Sequence, residues 1–264
     1  MKFYRFGNEK NPTIFLFPGT CCHWRANFGG VIPLLKDTFH VVCVSYDGFD
    51  ETESTEFPDM LTETKKIERY IQKYFNGKIC AAYGCSLGGS FVGLLIQREK
   101  IHIEHGMIGS SDLDQAGAFA AKLQARIAGP MIVKMLHGGK LPGFMEKRLE
   151  KKPEDEQEYY QKMLELFGIG SDRMSFVTKG SAYRQFYYDL ITPLEENISI
   201  SGTMIHCFYA EKMGEKYLRR YQQHFKNPDI RRHDMQHEEL LICYPERWVQ
   251  EVKDCCEAGA AYGK

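Results

Sequence analysis

Short apolar runs alternate with amphipathic helical patterns along most of the chain. The apolar runs lie at 13–19, 39–47, 78–84, 103–111 and 202–210, with a shorter run at 229–235. Helical spacing of apolar residues falls between them, most clearly at 61–75, and a further helix is predicted from about Met213 to Phe225. Strands that are apolar throughout are buried on both faces, which is typical of parallel strands. The sequence therefore predicts an α/β fold with a mostly parallel central sheet that helices cover on both faces.

One long segment interrupts this alternation. Residues 113–197 show no strand pattern and are rich in Phe, Tyr and Met. A helical insertion at this point would lie over the carboxyl ends of the strands, where open α/β sheets bind their ligands. We therefore predict a core formed by residues 1–112 and 198–264, and a helical cap formed by residues 113–197 and inserted before the penultimate strand.

Composition excludes several classes of partner. The 264 residues are 43% hydrophobic and carry a formal net charge of −1, without a basic stripe, so nucleic acid is not expected. No apolar run approaches the roughly 18 residues of a membrane span. The nine cysteines are odd in number, include no C-x-x-C pair and follow no apolar leader. Free thiols in a reducing cytoplasm are therefore expected. Neither a metal nor a cofactor is expected. A homodimer is compatible with the sequence.

A candidate nucleophile lies in the sequence G-C-S-L-G at 84–88, between a predicted strand and a predicted helix. This pattern matches G-x-S-x-G, in which a sharp strand-to-helix turn exposes the serine hydroxyl. Glycines flank the serine because a Cβ atom would collide within the turn. We interpret Ser86 as a nucleophile. The alternative is a close strand–helix contact, a role that suits Gly89 and Ser90.

A serine hydroxyl needs a base, and in this arrangement the base should follow the last strand. His237 immediately precedes a helical pattern, so it lies on the expected loop, whereas His233 falls within the short strand or at its end. The spacing of these two histidines also allows a metal site completed by Glu238 or Glu239. The H-E-x-x-H order of such sites is absent, which favours His237 as the base.

Two backbone N–H groups are needed to stabilise a tetrahedral oxyanion. Leu87 directly follows the candidate nucleophile and supplies the first. Thr20 follows Gly19 in the loop after the first long apolar run and is our candidate for the second. The adjacent Cys21 and Cys22 are interpreted as small residues of that loop, with a thiol nucleophile as the alternative.

These motifs, in this order, resemble the α/β-hydrolase fold family over almost the whole chain. They are F-P-G-T at 17–20, Y-D-G at 46–48, G-C-S-L-G at 84–88, the inserted segment, and M-Q-H-E-E-L at 235–240. The resemblance implies a sheet of about eight strands, a Ser-His-acid triad and hydrolysis by acyl transfer. It does not identify a substrate.

The acid departs from the family pattern. Members commonly carry it after the strand that follows the cap, and Met213 occupies that position here. Some hydrolases of this fold take the acid from the strand before the cap, and Asp112 follows that strand. We predict Asp112 as the acid and keep Glu211, a Ser-His dyad without an acid, or another group as alternatives. Asp112 or Asp114 could instead cap the first helix of the insertion.

The sequence as a whole predicts a cytoplasmic serine hydrolase that cleaves an ester or thioester of a small or medium acyl group. Ser86, His237 and Asp112 would form an acyl-enzyme, and the N–H groups of Leu87 and Thr20 would bind the oxyanion. An amidase or peptidase of the same fold is one alternative. A non-catalytic binding protein is another, because Met213 cannot orient an imidazole.

Overall fold

A computed structural model describes residues 1–139, 143, 147, 151–166 and 173–258. Within them the sheet has seven strands: β1 (Lys2–Phe6), β2 (Thr13–Phe17), β3 (His40–Ser45), β4 (Lys78–Gly84), β5 (His102–Ile108), β6 (Met204–Ala210) and β7 (Asp229–His233). Their order is β1-β3-β2-β4-β5-β6-β7, and only β1 runs antiparallel to its neighbour. The prediction of a mostly parallel sheet is confirmed. Sequence reasoning missed β1, whose half-buried residues lack a continuous apolar run.

Ten α-helices surround this sheet in the described ranges: α1 (Trp24–Phe28), α2 (Ile32–Leu35), α3 (Met60–Phe75), α4 (Leu87–Arg98), α5 (Ala118–Leu136), α6 (Glu154–Leu166), α7 (Lys179–Ile191), α8 (Glu215–His224), α9 (Glu239–Cys243) and α10 (Pro245–Ala258). Successive side chains of a strand enter opposite layers. Phe15 of β2 joins the core under α3, α4 and α8, whereas Leu16 joins the core under α1, α2 and α10. Helices therefore cover both faces, as predicted.

The chain path places a crevice at the carboxyl ends of β2 and β4. From β2 the chain moves outward to β3 and then crosses back to β4, so β2 has β3 on one side and β4 on the other. Phe17 pairs with Gly84, which aligns the ends of these two strands. The loops that leave them diverge, and such a switch point is where open α/β sheets bind ligands.

The described part of the segment between β5 and β6 consists of helices joined by irregular segments. It contains α5, α6 and α7, and no strand lies in the described part of 113–197. Helices α5 and α7 pack along each other, and Gly129 allows the backbone of Tyr183 to approach closely. The bounds of core and cap given above stay a prediction. No helix in the described ranges combines the length and the apolarity needed to cross a bilayer.

Two predicted helices differ from the observed ones. The pattern after His237 suggested one helix, but the chain breaks at Tyr244 and restarts at Pro245, which is tolerated in a first turn because its missing N–H is not needed there. The helix expected from about Met213 begins at Glu215, after a 3-10 turn over 211–213 and Gly214 at φ 100°.

Candidate active site

The turn from β4 to α4 holds Ser86 in a strained backbone conformation. Its φ of 50° and ψ of −114° lie outside the regions that L-residues prefer. A Cβ at Gly84 would lie 2.1 Å from the backbone of Gly88, and a Cβ at Gly88 would lie 2.2 Å from the carbonyl oxygen of Phe17. Both positions therefore require glycine, for the steric reason that the motif predicted.

The loop after β2 runs beside this serine. A Cβ built on Gly19 would lie 3.5 Å from the Cβ of Ser86. The N–H of Cys85 donates to the carbonyl of Phe17 at 3.0 Å, which extends the pairing of β2 and β4 into the turn. The two segments predicted to carry the nucleophile and the second oxyanion donor are thus neighbours at the switch point.

Two buried side-chain amides hold the loop after β2 in place. The N–H of Gly19 donates to Asn27 Oδ1 at 2.9 Å, and the N–H of Cys21 donates to Gln185 Oε1 at 2.6 Å. For Thr20, which lies between them, the described residues provide no acceptor for the N–H group. Gln185 belongs to α7, so the loop is fixed by both the sheet region and the insertion.

Leu87 offers the other predicted donor. It is the first residue of α4, and the N–H groups of a first helical turn have no carbonyl partner within the helix. The N–H groups of Leu87 and Thr20 come from the two segments that flank the crevice, and their role as oxyanion donors stays a prediction.

The two neighbouring thiols are poor nucleophiles in this environment. Burial raises the pKa of Cys21 well above its usual value, and burial raises the pKa of Cys22 to about 12. The thiolate is the reactive form of cysteine, so both side chains stay protonated at neutral pH. They pack as small residues of the loop, and Cys21 adopts a φ of 55° beside its bond to Gln185.

His237 lies in the turn between β7 and α9, as predicted, and is half-buried. Its carbonyl accepts a hydrogen bond from the Tyr159 hydroxyl of α6 at 2.8 Å. In the described part of the chain no direct hydrogen bond joins its ring to the Ser86 hydroxyl. Such contacts are often long without substrate and shorten in the reacting complex.

Glu238 ties the His237 turn to the nucleophile turn. It has a φ of 56°, is 3% exposed, and accepts hydrogen bonds from the Ser86 N–H at 2.8 Å and the Tyr83 hydroxyl at 2.9 Å. Burial raises the pKa of its carboxyl, and the neighbouring His237 charge and these donors lower it in part. Sequence reasoning considered Glu238 only as a metal ligand, because nothing in the pattern signals a left-handed residue there.

The competing histidine is engaged elsewhere. His233 ends β7 and is buried, and its Nε2 lies 2.8 Å from Glu251 Oε2 of α10. Glu239 uses its carboxylate to accept the Gln236 N–H at 2.6 Å. The alternative metal site of His233, His237 and a glutamate therefore gains no support from these contacts.

Asp112 lies in an irregular segment between β5 and α5. Its carbonyl accepts from Arg220 Nη1 at 2.8 Å, and its carboxylate receives only a long contact of 3.5 Å from the Asp114 N–H. The alternative helix-cap interpretation is wrong, because α5 begins at Ala118 and its N-cap residue is Gly117.

Neither candidate acid contacts His237 among the described contacts. Asp112 lies near Asp189 of α7, and burial together with the charge of Asp112 raises the pKa of Asp189 well above its usual value. Glu211 is exposed and forms an ion pair with Arg232 at 3.1 Å. Among the residues that the structure describes, the carboxylate of Asp112 thus has no ion pair, whereas that of Glu211 has one.

Two side-chain clusters among the described residues could offer ligands to a metal ion, namely His206 with Asp229 and Cys255, and His23 with Asp50 and Glu51. In the first, Asp229 Oδ2 already binds His206 Nδ1 at 2.8 Å and Arg231 Nε at 3.0 Å. A guanidinium on the same oxygen opposes a cation. This cluster lies on β6, β7 and α10, whereas Ser86 follows β4.

A cavity of about 660 Å³ opens beside the loop after β2. Asn27 and Leu241 line it, and these residues belong to the helices that follow the loop after β2 and the His237 turn, whereas neither Ser86 nor His237 is among the lining residues. Charged groups of both signs, including Arg25, Lys162 and Glu165, surround the opening. Its volume falls in the range of about 300–1,000 Å³ that small-molecule sites occupy.

The sheet order, the strained serine turn and the helical insertion are those of the α/β-hydrolase fold, and this chain has that fold. A protein of the α/β-hydrolase family from Desulfitobacterium hafniense is 17% identical, with a TM-score of 0.75 over 96% of this chain and 99% of its own. MenH from S. aureus is 17% identical, with a TM-score of 0.70 over 98% of each chain. The enol-lactonase from Burkholderia xenovorans LB400 is 14% identical, with a TM-score of 0.66 over 97% of this chain and 96% of its own.

No protein-family model matches the sequence, and no curated protein matches it.

Proposed function

We propose that the chain is a serine hydrolase that cleaves an ester or thioester of a small or medium acyl group. The observation that carries this proposal is the strained Ser86 at the switch point, beside the unpaired Thr20 N–H. Several similar solved structures are described as esterases, including one from Thermogutta terrifontis, and this supports a hydrolytic reaction.

Ser86 Oγ attacks the substrate carbonyl carbon, and His237 takes the hydroxyl proton. The carbonyl oxygen becomes an oxyanion that the N–H groups of Leu87 and Thr20 stabilise. When the intermediate collapses, the bond to the leaving group breaks and His237 returns the proton to it. Water then attacks the acyl-enzyme with the same base, which releases the acid and restores Ser86.

Asp112 is the proposed orienter of His237. It follows β5 at the carboxyl edge of the sheet, and its carboxylate has no cationic partner among the described residues, whereas Glu211 is paired with Arg232. Met213, at the usual acid position, cannot accept a hydrogen bond of this kind. Glu238 supports the His237 turn differently, because its carboxyl accepts the Ser86 N–H at 2.8 Å and so ties the two turns together.

A fluorophosphonate probe tests the proposed nucleophile directly. We expect the purified chain to be labelled at Ser86, and we expect Ser86→Ala to abolish labelling. Ser90→Ala is a matched control, because Ser90 lies one turn further along α4. Labelling that survives in Ser86→Ala would contradict the assignment.

A non-catalytic binding role is the second candidate, favoured by Met213 and by the lack of a direct bond between Ser86 and His237 in the described contacts. An unlabelled wild-type chain would support it. Within the enzyme class, a panel of esters, thioesters and amides with varied acyl length separates an esterase or thioesterase from an amidase or peptidase.

A further inference from the structure

Helix α5 carries apolar side chains both on the face that packs against α7 and on the opposite, exposed face. Its inner face packs on α7 through small and aliphatic residues, including Ala121, Ala125 and Val133, all of which are buried. Its outer face also carries large apolar side chains. A helix face that carries several large apolar side chains is normally covered, by protein or by lipid.

The outer face consists of four large side chains spaced four residues apart. Phe119 is 84% exposed, Leu123 53%, Ile127 63% and Met131 49%. We call these four residues the α5 stripe, and it runs for about 18 Å along the helix at 1.5 Å per residue. Single exposed apolar residues are ordinary on protein surfaces, but a continuous row of this length marks an interaction site.

The charges beside the α5 stripe are all positive. Helix α5 carries Lys122, Arg126 and Lys134 and no acidic residue. All three side chains are exposed, and none forms an ion pair within the described part of the chain. Elsewhere on the surface several cations form ion pairs, for example Arg184 with Glu56. The stripe is therefore both apolar and cationic, with no acid on the helix to neutralise it.

We propose that the α5 stripe docks the protein onto an anionic phospholipid surface. Interfacial helices enter the boundary between headgroups and acyl chains with their apolar side chains, while flanking cations bind anionic lipid headgroups. A second copy of the chain suits the stripe less well, because pairing two such faces would bring Lys122 and Arg126 of both copies together. The proposal is independent of the reaction at Ser86.

Co-flotation with lipid vesicles tests this docking. Wild-type protein is expected to bind vesicles of phosphatidylcholine and phosphatidylglycerol in equal parts, and to bind pure phosphatidylcholine at least about tenfold less, since each cation contributes about 1 kcal/mol at an anionic surface. Phe119→Gln with Ile127→Gln should lower the partition coefficient about a hundredfold, because each side chain loses roughly a tenfold contribution from burial.

Two further variants isolate the parts of the surface. Lys122→Gln with Arg126→Gln should lower binding to the mixed vesicles at least about tenfold and leave binding to phosphatidylcholine unchanged. Leu61→Gln is the matched control, because Leu61 is an exposed apolar residue on α3, outside the stripe, and it should bind like the wild type. Circular dichroism and thermal unfolding verify that each variant is folded.

Failure of the wild type to bind the mixed vesicles would overturn the proposal, as would equal binding to both vesicle types. A wild-type dimer in light scattering that becomes monomeric in Phe119→Gln with Ile127→Gln would also overturn it, in favour of a second copy as the occupant.

Discussion

Tyr83→Phe is the substitution with the clearest expected magnitude. The Tyr83 side chain is 1% exposed, and its hydroxyl donates to the buried carboxylate of Glu238 at 2.9 Å. Phenylalanine keeps the ring in the same packing and removes only this donor. Since a hydrogen bond to a charged group contributes about 1.5–3 kcal/mol, we expect the free energy of unfolding to fall by that amount.

Two comparisons separate this bond from general effects of removing a hydroxyl. Tyr46 is also fully buried, and its hydroxyl donates to the neutral carbonyl of Pro18 at 3.2 Å. Tyr46→Phe should therefore cost only about 0.5–1.5 kcal/mol. In a Glu238→Gln background, the loss in the free energy of unfolding caused by Tyr83→Phe should also be only about 0.5–1.5 kcal/mol, because the acceptor is no longer charged.

Urea unfolding at neutral pH, followed by tryptophan fluorescence, measures all four variants, since the Trp248 ring lies 4.7 Å from that of Tyr83. A loss for Tyr83→Phe no larger than that for Tyr46→Phe would refute the reasoning. So would the same loss in both backgrounds, because the carboxylate would then contribute nothing specific.

Three further predictions concern other parts of the molecule. Asp112→Asn should lower kcat by about 10³–10⁴ and Glu211→Gln much less, if Asp112 orients the base, and ester hydrolysis assays that give the reverse order would contradict this. Burial and a neighbouring acid raise the pKa of Glu63 to about 7, above its unfolded value, so the stability of the wild type relative to Glu63→Gln should decline as the pH rises towards 7. Urea titrations across pH that give a constant difference would count against it. Gly88→Ala should cost at least about 3 kcal/mol, because its Cβ would meet a strand carbonyl, whereas Gly30→Ala, where the space is open, should cost little in the same assay.

The sequence predicted the parts of the fold that depend on local pattern. Parallel strands that are apolar throughout were recognisable, and so was the G-C-S-L-G turn, because glycine at 84 and 88 has one steric explanation there. The sequence pattern did not predict β1, because an edge strand with half-buried residues needs no continuous apolar run.

The parts that were not predictable depend on contacts distant in the chain. The bond of Glu238 to the Ser86 N–H joins residues 152 positions apart, and it requires a left-handed glutamate that no propensity indicates. Likewise, the pattern left it open that Gln185 from α7 would reach the loop after β2. The identity of the acid stays a prediction for the same reason, since side-chain direction in an irregular segment such as that of Asp112 follows from packing.

The hydrogen bond between Gln185 and Cys21 links the position of α7 to the conformation of the loop after β2. If α7 moved away, the buried Cys21 N–H would lose its acceptor, and an unsatisfied buried donor costs about 1–3 kcal/mol. By thermodynamic linkage, any ligand that favours the loop conformation seen here also favours α7 in its present place, by the same free energy. A ligand that binds at Ser86 should therefore stabilise the present position of α7. Amide hydrogen exchange in α7 should slow when such a ligand occupies the crevice.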